Sequence, residues 1–143
     1  MTNNDTSTPI WFWVVSGLAL AWNGVGVLAY IMDVSQTAEQ LAEHSQAVQD
    51  LYASRPSWAT AAFAISVFAG VIGCLGLLLR KNWAIATLWA SLIAVLIQQF
   101  YAFGIAEMHK HVEGSTTLPI MVVTVAVFLV WFARFSKSKG WLS

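Results

Sequence analysis

The sequence predicts an all-α integral membrane protein, a four-helix bundle with both termini in the cytoplasm. The first observation behind this fold class is the composition, because the 143 residues are 58% hydrophobic and only 10% charged. Soluble domains carry about 25% charged residues, and a soluble chain of this length has too little interior to hide so much apolar surface. The length allows one domain, residues 1–143. The solvent that fits this composition is lipid.

The second observation is a set of four apolar segments, residues 10–32, 58–79, 83–105 and 118–135. A hydrocarbon core of ~30 Å is crossed by about 20 helical residues, and the fourth segment is the shortest. The first nine residues contain no Lys or Arg, so we interpret the first segment as a retained helix and not as a signal peptide. The three prolines fall where helices begin, a position at which proline loses no hydrogen bond.

The third observation is the distribution of charge, which predicts the orientation. Lys and Arg gather in cytoplasmic loops. Four crossings would place five basic residues and one acid on the side of the termini, against two basic residues and six acids on the other side. We therefore expect the N-in, C-in arrangement, with both termini in the cytoplasm. The five basic residues are Arg80, Lys81, Arg134, Lys137 and Lys139.

The outer loop between the first two segments is predicted to contain a short amphipathic helix over residues 38–53. Thr37 followed by Gln40 forms a capping box, with Glu39 in the first turn. Pro56 ends the helix, because the residue before a proline avoids helical angles. The alternative is a partly ordered polar loop.

Small residues at three- and four-residue steps predict how the first three membrane helices pack, because helices in lipid associate through close backbone approach. The fourth segment shows only Thr124 on such a stripe and is predicted to be peripheral. An unpaired amide in hydrocarbon costs several kcal/mol. Asn23 and Gln98 lie at similar depths, so we expect a hydrogen bond between them. They are either structural contacts or, with Gln99, Tyr30 and Tyr101, the lining of a polar cavity open to the outside.

The loop after the third segment carries four possible metal ligands, Glu107, His109, His111 and Glu113, which suit zinc or copper. In an extended segment the two histidines share a face and could bind one metal, with His44 as a third ligand. On a helix, residues two apart point away from each other. The alternatives are pH sensing by the histidines and a solvated membrane rim, and the rim is the preferred interpretation. No metal is therefore predicted.

Three stretches, "AWNGVGVLAY", "LYASRPSWATAAFAISVFAGVIGCLGLLLRKNWA" and "WFARFSKSKGWL", resemble a largely uncharacterised family of small bacterial inner-membrane proteins. Members of this family often carry an automatic "sugar transporter" label. The resemblance implies a four-helix inner-membrane protein of a Gram-negative bacterium. It transfers no catalytic or binding residue to this chain.

Three functions are left open by the sequence. The first is a non-enzymatic membrane protein that binds a partner or a small ligand at its periplasmic half. The second is a transporter of small solutes that acts as an oligomer, and the third is a metal-dependent membrane enzyme. No catalytic motif, phosphate loop or cofactor motif is visible, and the glycines near Cys74 are interpreted as packing positions. Besides the bilayer, the predicted partners are another protein or a second copy of the chain, and not nucleic acid.

Overall fold

The computed structural model describes residues 7–111, 113–114 and 116–143. These residues form helices and connecting turns, with no β-strand among them. Four helices are long and apolar enough to cross a membrane, so the chain is an all-α multi-pass membrane protein. The helices are α1 (Ile10–Val34), α2 (Ala38–Ala42), α3 (Gln46–Ser54), α4 (Ser57–Leu78), α5 (Trp83–Gln99), α6 (Met108–His111) and α7 (Thr117–Ser138), with a π-helical turn at Phe100–Ile105.

The centre of the bundle is the antiparallel pair α4 and α5, which are joined by a short turn. Helix α1 packs along α4, and α7 packs along α5. Glycines on α4 allow the close approach: an added Cβ would lie 2.6 Å from Leu88 at Gly73 and 2.8 Å from Ala84 at Gly76. The predicted small-residue packing is confirmed here, because Ser66 on α4 and Ser91 on α5 are also buried at the same seam.

Helix α7 lies at the edge of the bundle, as the sequence predicted for the fourth membrane helix, but α1, which the sequence did not single out, is buried even less. In the most apolar stretch of each helix, 11% of the residues are buried in α1, 22% in α7 and 44% in α4. The small-residue pattern missed this because α7 packs through large side chains, including the fully buried Phe132.

One end of the bundle, which we call the basic end, is closed by aromatic side chains. Trp141 lies 5.2 Å from Trp11 and 5.6 Å from Phe135, measured between ring centroids. Arg80, at a φ of 57° in the turn between α4 and α5, donates from Nε to the carbonyl of Trp141 at 2.8 Å. The backbone N–H of Ser143 donates in turn to the carbonyl of Arg80. These bonds hold the chain after α7 against the turn between α4 and α5.

The opposite end, which we call the acidic end, carries two short helices in place of the single predicted helix 38–53. The predicted capping box forms at the start of α2, with both hydrogen bonds between Thr37 and Gln40 present. The helix then stops at Glu43, because Ser45 adopts extended angles and its side chain caps the N–H of Val48 to begin α3. A serine that can bond the backbone locally favours a new helix start over the middle of a longer helix.

The third membrane helix also departs from a simple α-helix near its end. Beyond Gln99 the backbone widens into the π-helical turn, in which the N–H of Ala106 donates to the carbonyl of Tyr101 at 2.8 Å. The chain leaves this turn through Glu107, whose φ is 49°. Short π-helical segments occur frequently at functional sites, and this one borders the cavity described next.

Candidate functional site: an interhelical cavity

All four membrane helices surround a cavity of about 330 Å³, which we call the interhelical cavity. It lies in the half of the bundle nearer the acidic end, and ligand pockets typically measure about 300–1,000 Å³. Most of its wall is apolar, with side chains such as Trp22, Phe63 and Leu129. The polar residues that line it are Asn23, Ser66, Ser91, Gln98 and Gln99.

Asn23 forms part of the cavity wall and links α1 to α4. Its Nδ2 donates to the carbonyl of Ala19 at 2.9 Å and approaches Sγ of Cys74 at 3.5 Å. No hydrogen bond joins Asn23 to Gln98 in the described part of the chain, so the predicted pair is wrong. Ala19 and Cys74 take the place of Gln98 as partners of the Asn23 amide. The amide satisfies one donor on its own helix, four residues back, which removes the need for a partner on α5.

Gln98 and Gln99 reach the same cavity from the last turn of α5. Oε1 of Gln99 is buried and has no hydrogen-bond partner among the described residues. Burying such a group without a partner costs about 1–3 kcal/mol. Gln99 therefore carries an unpaired amide oxygen beside a cavity whose wall is mostly apolar.

The two tyrosines predicted for the cavity lie elsewhere. Tyr30 packs edge-on against Phe63 and Phe68 at 5.4 and 5.9 Å between ring centroids. Tyr101 is buried and packs edge-on against Trp58 at 5.5 Å. The structure thus brings together three of the five predicted residues, Asn23, Gln98 and Gln99, and gives the two aromatic rings packing positions.

Sequence reasoning missed two of the polar groups in the cavity, the hydroxyls of Ser66 and Ser91. Oγ of Ser91 donates to the carbonyl of Ser66 at 2.6 Å, and Oγ of Ser66 donates to the carbonyl of Phe63 at 2.7 Å. Both serines were visible in the small-residue stripes, where they counted as packing positions. The signal that could have singled them out is that they are hydroxyl residues within the same set of small-residue stripes that includes Asn23 and Gln98.

The candidate metal ligands do not form a metal centre in the described part of the chain, where no three His, Cys, Asp or Glu side chains group around a common point. Residues 108–111 are helical, which is the backbone in which ligands two apart diverge. The ring of His109 packs near Phe103, and Glu107 pairs with Lys110 at 2.8 Å. The side chain of His111 lies outside the described part of the structure.

A second polar group at the acidic end fixes the loop helices to α1. Asp33 accepts hydrogen bonds from the Tyr52 hydroxyl at 2.7 Å and from Nη1 of Arg55 at 2.8 Å. Burial, followed by the hydrogen bond to Asp33 and its negative charge, raises the pKa of Tyr52 to about 12. The tyrosine thus stays protonated and acts as a hydrogen-bond donor that ties α3 to the end of α1.

The described lining of the cavity carries no arrangement of side chains suited to acid–base or nucleophilic chemistry. Its described lining contains amides, hydroxyls and apolar side chains, with no carboxylate, histidine or lysine. Such a lining is typical of a site that recognises a small molecule by shape and by a few hydrogen bonds.

Comparisons with known proteins yield no relative from which a function could be transferred. No family model matches the chain, and no curated protein or solved structure matches it either. The family resemblance of the three quoted stretches therefore stays a prediction from the sequence.

Proposed function

We propose that this membrane protein is a non-enzymatic protein of a bacterial inner membrane that binds a small, mainly apolar molecule in the interhelical cavity. The observation that carries the proposal is the buried, unpartnered Oε1 of Gln99 beside a cavity lined by all four membrane helices. A ligand with a hydroxyl or amide N–H would satisfy this oxygen once the Gln99 side chain turns its carboxamide into the cavity, and the apolar part of the ligand would fill the remaining volume.

The apolar wall favours such a ligand over a sugar. A sugar exposes hydroxyl groups on every side, and each hydroxyl buried without a hydrogen bond costs about 1–3 kcal/mol. Of the polar groups in the wall, the hydroxyls of Ser66 and Ser91 already donate to backbone carbonyls. Sugar transport by an oligomer therefore has less support than ligand binding.

Native mass spectrometry of the protein, extracted gently from its own membranes, tests the proposal. We expect a retained small-molecule adduct that disappears in Ala126→Phe, because Ala126 lines the cavity and a phenyl ring there would occupy it. Met121→Phe is the matched control, since Met121 lies on the same helix and is 46% exposed toward lipid.

An adduct that survives Ala126→Phe, or that Met121→Phe removes equally well, would contradict binding in the cavity. Uptake of a labelled hexose into liposomes that contain only this protein, if lost in Asn23→Leu, would favour the transporter instead.

The proposed orientation places the acidic end in the periplasm and both termini in the cytoplasm. Its support is the cluster of Lys and Arg at the basic end, which cytoplasmic loops favour. Reporter fusions after Lys81 and after Lys110 test it. We expect cytoplasmic activity at Lys81 and periplasmic activity at Lys110, and the reverse result would invert the topology.

A further inference from the structure

A groove on the outside of the bundle, separate from the interhelical cavity, runs between α5 and α7 at the basic end. Its volume is about 520 Å³. It combines two large exposed rings with one cationic side chain, since Trp131 is 57% exposed and Trp89 is 41% exposed. The residues that shape the groove are Trp89, Leu92, Val127, Trp131, Arg134 and Ser138.

Depth along the helix separates the polar and apolar parts of this groove. Arg134 lies within the last turns of α7, which ends at Ser138. Trp131 lies three residues before Arg134, or about 4.5 Å deeper at 1.5 Å per residue, and Val127 lies about 10 Å deeper than Arg134. A lipid has the same arrangement, with a charged headgroup at the membrane surface and an acyl chain below it.

Arg134 is the group available to recognise a headgroup. It is exposed, and no hydrogen bond or ion pair engages its guanidinium within the part of the chain that the structure describes. The hydroxyl of Ser138 is already used, because it donates to the carbonyl of Phe135 at 2.6 Å. A guanidinium binds a phosphate through two parallel hydrogen bonds, which gives it an advantage over a point charge.

The charge around the groove selects among phospholipids. Lys137 lies on the same helix as Arg134, and Lys139 follows directly after that helix. At this end the described residues include no Asp or Glu side chain. The ammonium group of a zwitterionic lipid would therefore be repelled by the surrounding cations. An anionic headgroup has no ammonium group and would be attracted by them.

We propose that the groove between α5 and α7 is a binding site for an anionic phospholipid such as phosphatidylglycerol. The guanidinium of Arg134 binds the phosphate, and one acyl chain lies between Trp89 and Trp131. Basic pockets between membrane helices bind anionic headgroups on the cytoplasmic side of a bilayer, which agrees with the proposed orientation.

Lipid retention by the delipidated protein in maltoside micelles tests this site, with dioleoyl phosphatidylglycerol and dioleoyl phosphatidylcholine as probes and native mass spectrometry as the readout. We expect one phosphatidylglycerol to be retained about fivefold more than phosphatidylcholine, the ratio that corresponds to about one cationic contact. Arg134→Gln should abolish this preference. Lys81→Gln, which removes the same charge at the same end but outside the groove, should keep it within about twofold.

Two results would overturn the proposal: equal retention of both lipids by the wild-type protein, or an equal loss of preference in Arg134→Gln and Lys81→Gln. The second result would indicate diffuse attraction and not a site. Tryptophan quenching by brominated lipids gives a readout that does not depend on the Arg134 variant. Brominated phosphatidylglycerol should quench more strongly than brominated phosphatidylcholine, and Trp89→Phe with Trp131→Phe should remove the difference.

Discussion

The carboxamide of Asn23 on α1 lies directly above the Cα of Gly70 on α4, so that a Cβ at residue 70 would overlap Oδ1 and lie 2.8 Å from Cγ. At this contact a polar side chain, Asn23, packs against a glycine, Gly70. The missing side chain of the glycine leaves the space that the amide fills, and the amide then reaches Cys74 one turn further along α4. The contact fixes the position of α1, which is the least buried of the four membrane helices.

Gly70→Ala should destabilise the protein by about 1–3 kcal/mol, the usual cost of inserting a methyl group into a packed contact. Gly24→Ala is the matched control, because Gly24 lies on α1 with nothing within 4 Å of an added Cβ. Unfolding of the purified protein by sodium dodecyl sulfate in mixed micelles measures both variants. Equal stability of the two variants would show that Asn23 can move away from Gly70 without cost.

The pair formed by Asp33 and Arg55 should contribute more than an ordinary surface ion pair. Its side chains are 17% and 24% exposed, whereas those of Glu107 and Lys110 are 47% and 58% exposed. A double-mutant cycle with Asp33→Asn and Arg55→Gln should give a coupling of about 1 kcal/mol.

The cycle for Glu107→Gln and Lys110→Gln, measured in the same micelles, serves as the comparison and should give about 0.3 kcal/mol. The same coupling for both pairs would mean that burial of Asp33 does not strengthen its ion pair.

Tyr52 should titrate far above the ordinary tyrosine value, since its pKa is raised from 10.0 to about 12 by burial and by Asp33. Between these two pH values the folded protein keeps a proton that the unfolded chain has released. The free energy of unfolding should therefore be at its full value below about pH 10 and should fall as the pH rises toward 12.

Ultraviolet difference titration of the wild-type protein against Tyr52→Phe measures the pKa of Tyr52 directly. Tyr52→Phe should also flatten the fall in stability above pH 10. A Tyr52 signal that titrates near pH 10 would mean that its hydroxyl is neither buried nor held by Asp33 in solution.

Trp141→Ala should destabilise the basic end by about 3–5 kcal/mol, the range for removing a buried large aromatic ring. Trp141 is 8% exposed and contacts both Trp11 and Phe12, whereas Trp131 is 57% exposed. Trp131→Ala, measured in zwitterionic micelles, is the control and should cost less than about 1 kcal/mol. Similar losses in the two variants would argue that the chain after α7 does not dock in solution.

The sequence predicted the parts of this fold that depend on a residue's own neighbours along the chain. The four membrane helices follow from apolar length, and the start of α2 follows from the capping box of Thr37 and Gln40. The direction in which a side chain points around its helix could not be predicted from its neighbours along the chain, because it depends on which helices pack against it. Asn23 and Gln98 were matched by depth, but Asn23 is turned toward α4, and its Nδ2 donates to the carbonyl of Ala19 on its own helix.

The contribution of residues outside the membrane segments was also hidden in the sequence. Trp141 follows α7 in a short polar stretch with no periodic pattern, and its burial depends on aromatic rings of α1 that lie far away along the chain. Met108 lines the cavity, and it follows the π-helical turn and the left-handed backbone of Glu107. Hydropathy predicts neither of these two changes in the backbone.

Gln99→Leu tests whether the carboxamide of Gln99 stabilises the fold or is available to bind a ligand. If Oε1 of Gln99 is unpartnered in the empty protein, replacing it with an apolar group of similar size removes a desolvation cost and should raise the free energy of unfolding by about 1 kcal/mol. The same variant should lose the small-molecule adduct. Gln46→Leu on α3, which removes an exposed amide bonded to Asp50, should change neither stability nor adduct. A loss of stability in Gln99→Leu would identify Gln99 as a structural contact and remove the main support for a ligand in the cavity.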